Sequence, residues 1–170
     1  QTKEELVKIQ QAIRAIADAN GPDGPGGGLF VVLESSAILF YLTEKTGSFL
    51  LPTETRRRHA AMQWLMFTTG GVGPLFAQSF HFLNSVPEDM PYAKMRFVNE
   101  TRCLYGVMEK HLGAAPNLAG ETYAIADIAI FPRVVRHACH GVDLADYIHV
   151  RRWCDAIAAR TGDAKGMAIL

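Results

Sequence analysis

Cysteine is scarce in this chain: three in 170 residues, at Cys103, Cys139 and Cys154. An odd number without paired spacing excludes a disulfide-stapled scaffold and fits a reducing compartment, so a cytoplasmic location is expected. No CxxC occurs, which excludes a thioredoxin-type dithiol within these residues. No uninterrupted apolar run approaches the roughly 20 residues of a membrane span, and no secretory signal precedes the first expected helix. Neither sign of charge is in excess, because 17 Lys and Arg offset 17 Asp and Glu. Without a basic face, neither nucleic acid nor an anionic membrane is expected as the main partner. The one basic cluster, Arg56-Arg57-Arg58, reads as the solvated start of a helix. The chain opens at Gln1 rather than methionine, which fits a processed product or a piece of a longer protein.

What is present is ordinary globular composition, 49% hydrophobic and 20% charged, enough for one good core or two small ones. Residues 2–9 read as the end of a short helix and 13–18 as a strand. Gly21-Pro22-Asp23-Gly24-Pro25-Gly26-Gly27-Gly28 is turn-forming and lacks the Lys-Ser/Thr end of a phosphate-binding P-loop, so it reads as a hairpin loop. Residues 29–33 are a continuous apolar run of strand length. A helix is expected over 35–46, stopped by Gly47. Thr53 is placed to cap a second helix, which Gly70-Gly71-Val72-Gly73-Pro74 should kink or break before it resumes over 75–82. A long helix is expected over 92–112, with an apolar stripe through Tyr92, Met95, Val98, Leu104, Tyr105, Val107, Met108 and Leu112. The most hydrophobic helix is expected over 125–139, and a last amphipathic one over 147–159. The fold class is therefore α+β, with a small α/β piece up to about residue 51 and an all-α domain after it. Two strands and one helix do not make a stable sheet alone.

The candidate site lies at Leu33-Glu34-Ser35-Ser36, where the apolar run stops and a helix begins. Ser35 occupies the expected N-cap. A helix N-terminus has backbone N–H groups outside its ladder and a partial positive charge, so it holds a carboxylate well. Glu34, one residue earlier, suits an ammonium group. An anion site beside a cation site fits the free end of an amino acid, while a bare helix cap is the plainer reading of Ser35 alone.

The order of these segments resembles the glutathione transferases. Leu33-Glu34-Ser35-Ser36-Ala37-Ile38-Leu39 with Tyr41-Leu42 and Glu44-Lys45-Thr46-Gly47 is similar to the family's glutathione-binding helix. Gln63-Trp64-Leu65, Gly70-Gly71-Val72-Gly73-Pro74 and Pro91-Tyr92-Ala93 look like the bacterial nu class, which is akin to the fungal nitrogen-regulation prion protein. Gly120-Glu121-Thr122-Tyr123-Ala124-Ile125-Ala126-Asp127-Ile128-Ala129 resembles the superfamily's helical-domain folding motif. The resemblance covers nearly the whole chain. It implies a partial thioredoxin-like, glutathione-binding domain (1–51) joined to an all-helical domain (53–170), usually in a homodimer. It implies glutathione as co-substrate and no metal, with a small electrophile or a disulfide as the second substrate. The implied activity is that of a glutathione S-transferase or a glutathione-dependent disulfide reductase. Glu34 and Ser35 would hold the γ-glutamyl end, and Arg102 would reach glutathione with a guanidinium fork suited to a carboxylate. An ion pair between Arg102 and a surface acid is the alternative.

The catalytic residue stays unknown. In the family a Thr, Ser, Tyr or Cys near the first strand-helix turn favours the glutathione thiolate, and the family's first strand, first helix and second strand would lie before Gln1. Two departures also stand out. Where the family has a cis-proline this chain has Arg14 in Ile13-Arg14-Ala15-Ile16, and a cis bond there would cost about 3–4 kcal/mol. Ala124 replaces a capping Ser or Thr at roughly 1 kcal/mol, though Asp127 can bond back to that position and Tyr123 can staple onto Ile128. These departures favour the competing expectation of a non-catalytic, glutathione-transferase-like protein for dimerisation or partner binding. Among other candidates, His137, Cys139 and His140 do not share one helix face as metal ligands would. His81 reads as packing, Cys103 as an inert core thiol, and Tyr92 and Tyr105 as core residues.

Overall fold

In the computed structural model, which describes residues 15–47 and 55–162, the glycine-rich stretch after Asp18 turns the chain back on itself. Strands β1 (Ala15–Asp18) and β2 (Phe30–Leu33) pair antiparallel, with Ala15 opposite Leu33 and Asp18 opposite Phe30. A Cβ on Gly27 would lie 2.5 Å from the Asn20 carbonyl oxygen, so the loop closes only without one. Of β2, only Val32 is buried; Phe30, Val31 and Leu33 are exposed. Helix α1 (Ser35–Thr46) follows and stops at Gly47, whose left-handed φ of 66° turns its N–H onto the Thr43 carbonyl. The expected helix at 2–9, Arg14 and Thr53 lie outside the described residues.

The chain divides into two compact units, Gln1–Leu50 and Leu51–Leu170. In the second, α2 (Thr55–Phe67) does not break at the glycines. Its ladder widens through a π-helical stretch, Thr68–Val72, and continues as α3 (Gly73–Asn84). The widening is accommodated locally. Thr68 and Thr69 hydroxyls donate to the Trp64 and Leu65 carbonyls at 2.8 and 3.1 Å, and the Gly73 N–H reaches Thr68 five residues back. Pro74 is the second residue of α3, directly after the widened turn, where its missing N–H removes one donor from the ladder.

Helix α4 (Pro91–Leu112) buries Thr101, Tyr105, Met108 and Leu112. The expected stripe is thus half right: Tyr92, Met95 and Val107 are exposed. Helix α5 (Ile125–Val134) is the most buried element, but it ends five residues early. Pro132 leaves the Ile128 carbonyl without its helical donor, and two short 3-10 turns follow, His137–His140 and Leu144–Asp146, the first closed by left-handed Gly141. Helix α6 (Ile148–Ala158) completes the unit. The core gathers Phe76, stacked on Tyr105 at 5.0 Å, with Met108, Leu112, Ile130, Val134, Trp153 and Ile157.

Two polar knots fix this packing. Asp127 is fully buried: its Oδ1 accepts the Leu118 N–H at 2.9 Å and the Trp153 indole N–H at 2.8 Å, and its Oδ2 accepts the Ala124 N–H at 2.9 Å. Burial raises the Asp127 pKa, against the pull of those three donors. The bond back to Ala124 survives the loss of the capping hydroxyl. The second knot is a reciprocal clasp between α4 and α6. Glu109 accepts the His149 and Val150 N–H groups at the start of α6, at 3.0 to 3.1 Å, and Arg152 donates to the Leu112 and Ala115 carbonyls just past the end of α4, at 2.7 and 3.0 Å. Each charge sits at the helix pole it favours.

Two stability predictions follow from the core. Asp127→Ala strands three donors, and each buried orphan costs about 1–3 kcal/mol, so urea unfolding should show a loss of about 3 kcal/mol or more. His140 is buried against the Phe76 ring, and its Nδ1 has no partner among the described residues. Burial, with the Arg136, Arg133 and His137 charges, pushes its pKa down to about 4. The unfolded chain therefore binds this proton first as pH falls below about 6.5. Stability should decline from there towards pH 4, and His140→Phe should flatten that limb in denaturation curves measured across the range.

Candidate functional site

The head of α1 is built around an unusual backbone. Glu34, not Ser35, is the residue that caps the helix, and Ser35 is its first helical residue. The correction is one position, and its cause is conformational: Glu34 holds φ 70° and ψ 127°, the single non-glycine residue with positive φ among those described. A left-handed conformation in a residue with a Cβ is strained, and such strain concentrates where a ligand is handled. No side chain caps the helix, and the first ladder bond runs from the Ile38 N–H to the Glu34 carbonyl at 2.8 Å. Amides ahead of that bond lie outside the ladder, and the Glu34 and Ser35 side chains are exposed. The turn thus presents a carboxylate and a helix N-terminus to solvent together.

The body of α1 is pinned to the hairpin by a network that the sequence reading missed. Tyr41 donates to Asp18 Oδ2 at 2.5 Å, Lys45 pairs with the same oxygen, and the Asn20 N–H bonds Oδ1 at 3.1 Å. The Phe30 and Tyr41 rings lie 5.5 Å apart on the same seam. The one available signal was the i, i+4 spacing of Tyr41 and Lys45, which puts both on one helix face. The Lys45 and Tyr41 bonds hold the Asp18 pKa down to about 2, and the Asp18 bond pushes the Tyr41 phenol up to about 12.

In the second unit, Arg102 is exposed on α4 and makes no ion pair among the described residues, so the alternative of a surface acid partner is not realised. It lines a cavity of about 510 Å³ with His137, Gly141, Asp143, Asp146 and Tyr147. Asp143 caps the second 3-10 turn, accepting the Ala145 N–H at 2.9 Å. The His137 Nδ1 lies 2.9 Å from the Val142 carbonyl, so that nitrogen carries the proton and donates. The Tyr147 hydroxyl donates to the Arg102 carbonyl at 3.4 Å. Burial raises the Tyr147 pKa; the Arg102 charge opposes this and the Asp146 charge adds to it. Sequence reasoning placed none of these residues beside Arg102, because a loop without periodicity gives no facing.

The remaining candidates scatter. Cys103 is exposed, not a core thiol, because its position on α4 faces away from the Thr101–Tyr105 stripe. Cys154 is buried, and burial pushes its thiol up to about 11. Tyr105 is in the core and Tyr92 is exposed. His81 is exposed, with its ring 5.2 Å from Phe82. Cys139 is exposed while His140 turns into the core, and among the described residues no group of three His, Cys, Asp or Glu is placed to share a metal ion. No helix among them is long and apolar enough to cross a membrane.

Comparison with known proteins agrees with this architecture. No protein-family model matches the chain. Over 172 residues it is 43% identical to the disulfide-bond oxidoreductase YfcG of Escherichia coli, covering all of this chain and 78% of that protein. It is 36% identical to the disulfide-bond oxidoreductase YghU of the same organism, over 81% of this chain but only half of YghU. Among solved structures, a glutathione transferase family member from Pseudomonas fluorescens with two glutathione bound superposes with a TM-score of 0.83 at 36% identity, over 90% of this chain and 69% of that one. The fold, a partial thioredoxin-like piece with an all-helical domain, is that of the glutathione transferases. The chain belongs to the glutathione transferase family.

The Asp18 network is directly measurable. By NMR titration Asp18 should titrate near pH 2, and in Lys45→Met its pKa should return towards 3.8. Because the folded value lies below the unfolded one, the stabilisation is present above pH 3.8 and fades as pH falls through 2.

Proposed function

We propose that the protein is a glutathione-dependent enzyme, a glutathione S-transferase that reduces disulfide bonds. The 1–51 portion binds the co-substrate and the helical portion, 53–170, takes part in binding the second substrate, a small disulfide or electrophile. Glu34 takes the ammonium of the γ-glutamyl end, and the Ser35 hydroxyl and first-turn amides take its carboxylate. Arg102 offers its guanidinium to a glutathione carboxylate. Glutathione thiolate bonds to one sulfur of the disulfide, the old S–S bond breaks, and the departing sulfur leaves as a thiolate that takes up a proton; a second glutathione thiolate then attacks the glutathione sulfur of the mixed disulfide, releasing the second thiol and glutathione disulfide. The protein works as a homodimer in the cytoplasm.

The observation that carries this reading is the strained backbone of Glu34 at the head of an exposed helix. A residue held at positive φ costs about 1–3 kcal/mol, and a structural cap gains nothing from it. The naming of two relatives as disulfide-bond oxidoreductases supports the reaction type.

Glu34→Gly separates the two roles. Glycine adopts φ 70° without strain, so the thermal midpoint should hold or rise, by about 1 kcal/mol of added stability. Isothermal titration with glutathione should nonetheless show affinity reduced about tenfold or more. Unchanged glutathione affinity in this variant would refute the assignment.

A further inference from the structure

The strain at Glu34 requires a restraint, and its own side chain does not supply one. That side chain is exposed and makes no hydrogen bond or ion pair among the described residues, and no side chain caps the helix it opens. A residue stays in a sparsely populated basin only when surrounding structure holds it there. Glu34 is the corner between two limbs, β2 and α1. From Leu33 back to Phe30 the strand spans about 10 Å, and from Ser35 on to Tyr41 the helix spans about 9 Å. The limbs are therefore nearly equal in length and their far ends meet, with the Phe30 and Tyr41 rings 5.5 Å apart. Asp18 lies opposite Phe30 in the ladder, at that open end. Tyr41 donates to its Oδ2 at 2.5 Å, Lys45 one turn further on pairs with the same oxygen, and the Asn20 N–H holds Oδ1 at 3.1 Å. Bonds to a charged group are about twice as strong as neutral ones. Turning Glu34 to a negative φ would rotate α1 as a body about the corner and carry Tyr41 and Lys45 away from Asp18.

We propose that Asp18 is a positioning residue for the glutathione site: by bonding Tyr41 and Lys45 it ties the far ends of β2 and α1 together, and this holds Glu34 at positive φ with its carboxylate beside the first-turn amides. The restraint is a property of the first unit alone. Its use in binding rests on the reading of Glu34 and Ser35 given above. Asp18 acts through Glu34 and not by touching the ligand. Without its bonds Glu34 relaxes towards negative φ, the carboxylate turns away from the helix N-terminus, and the ammonium and carboxylate of one γ-glutamyl end can no longer both be met.

Two readouts on the whole chain test this. The first needs no ligand. At φ 70° the amide and α protons of a residue lie unusually close, so the labelled protein should show a strong Hα–HN cross-peak within Glu34 in its NOE spectrum. Asp18→Asn should reduce that cross-peak to the intensity of an ordinary residue. The second is a double-mutant cycle on glutathione affinity, read by isothermal titration. Asp18→Asn alone should weaken binding about tenfold. Glycine sits at φ 70° without restraint, so Asp18→Asn added to Glu34→Gly should weaken binding by less than about twofold more. An Asp18 that served the fold alone would give losses that multiply. If Asp18→Asn does not fold, Lys45→Met on the exposed side of α1 takes its place, with an expected loss of about threefold and the same failure to multiply. A full cross-peak retained in Asp18→Asn, losses that multiply, or unchanged affinity in Asp18→Asn beside weakened affinity in Glu34→Gly would each overturn the positioning role and leave the site reading in place. Unchanged affinity in Glu34→Gly removes the site reading instead, and a cross-peak lost in Asp18→Asn then still upholds the restraint.

Discussion

One carboxylate shut away from water organises the helical unit. Asp127 accepts N–H groups from Leu118, Ala124 and Trp153, and so ties the loop before α5, the first turn of α5 and the face of α6 to a single point. In a low-dielectric interior those bonds are strong, and each donor would be costly to leave unmatched. The surrounding apolar packing depends on this point. Trp153 can present its ring edge-on to Phe131 only while its indole N–H is satisfied, and α5 can start without a capping hydroxyl only because Asp127 reaches back. A core of Leu, Ile and Phe would tolerate several arrangements of these helices, and the three directed bonds leave one.

The first unit solves a different problem with little material. Among its described residues, two four-residue strands and one helix bury little apolar surface, so polar contacts carry much of their alignment. Asp18 gathers Tyr41, Lys45 and its own turn, and this steadies the helix whose opening residue is strained. Strain at Glu34 and restraint at Asp18 are complementary, because a backbone held away from its preferred basin stays there only when its neighbours are fixed.

Much of this was legible in residue order, and the misses share physical causes. Helices with strong periodicity and clear punctuation, such as 35–46 and 92–112, were recovered to within a residue. Gly47 and Asp127 did what their chemistry indicated. The break expected at Gly70–Pro74 is instead a widened turn, in which the Gly73 N–H reaches the Thr68 carbonyl five residues back, an accommodation that propensity does not register. The helix expected to run to Cys139 stops at Val134, because Pro132 removes a ladder donor within a stretch whose apolar character alone reads as continuous. Glu34 and Ser35 lie together at the head of α1 as the sequence places them, but their positions at the cap are shifted by one, since positive φ in a glutamate leaves no mark in the sequence. The sequence proposes Arg102 without its surroundings, which come from a loop some 35 to 45 positions away.

The clasp between α4 and α6 bears on how the chain reaches this structure. The amides opening α6 find their acceptor on Glu109, some forty positions earlier, and the carbonyls closing α4 accept from Arg152. Neither helix end is fully satisfied by its own neighbourhood. An eleven-residue helix is below the length that persists alone in water, so α6 gains its order only on docking. Secondary and tertiary structure at the C-terminal side of the domain therefore arise together, and fraying of one helix end loosens the other by the same act.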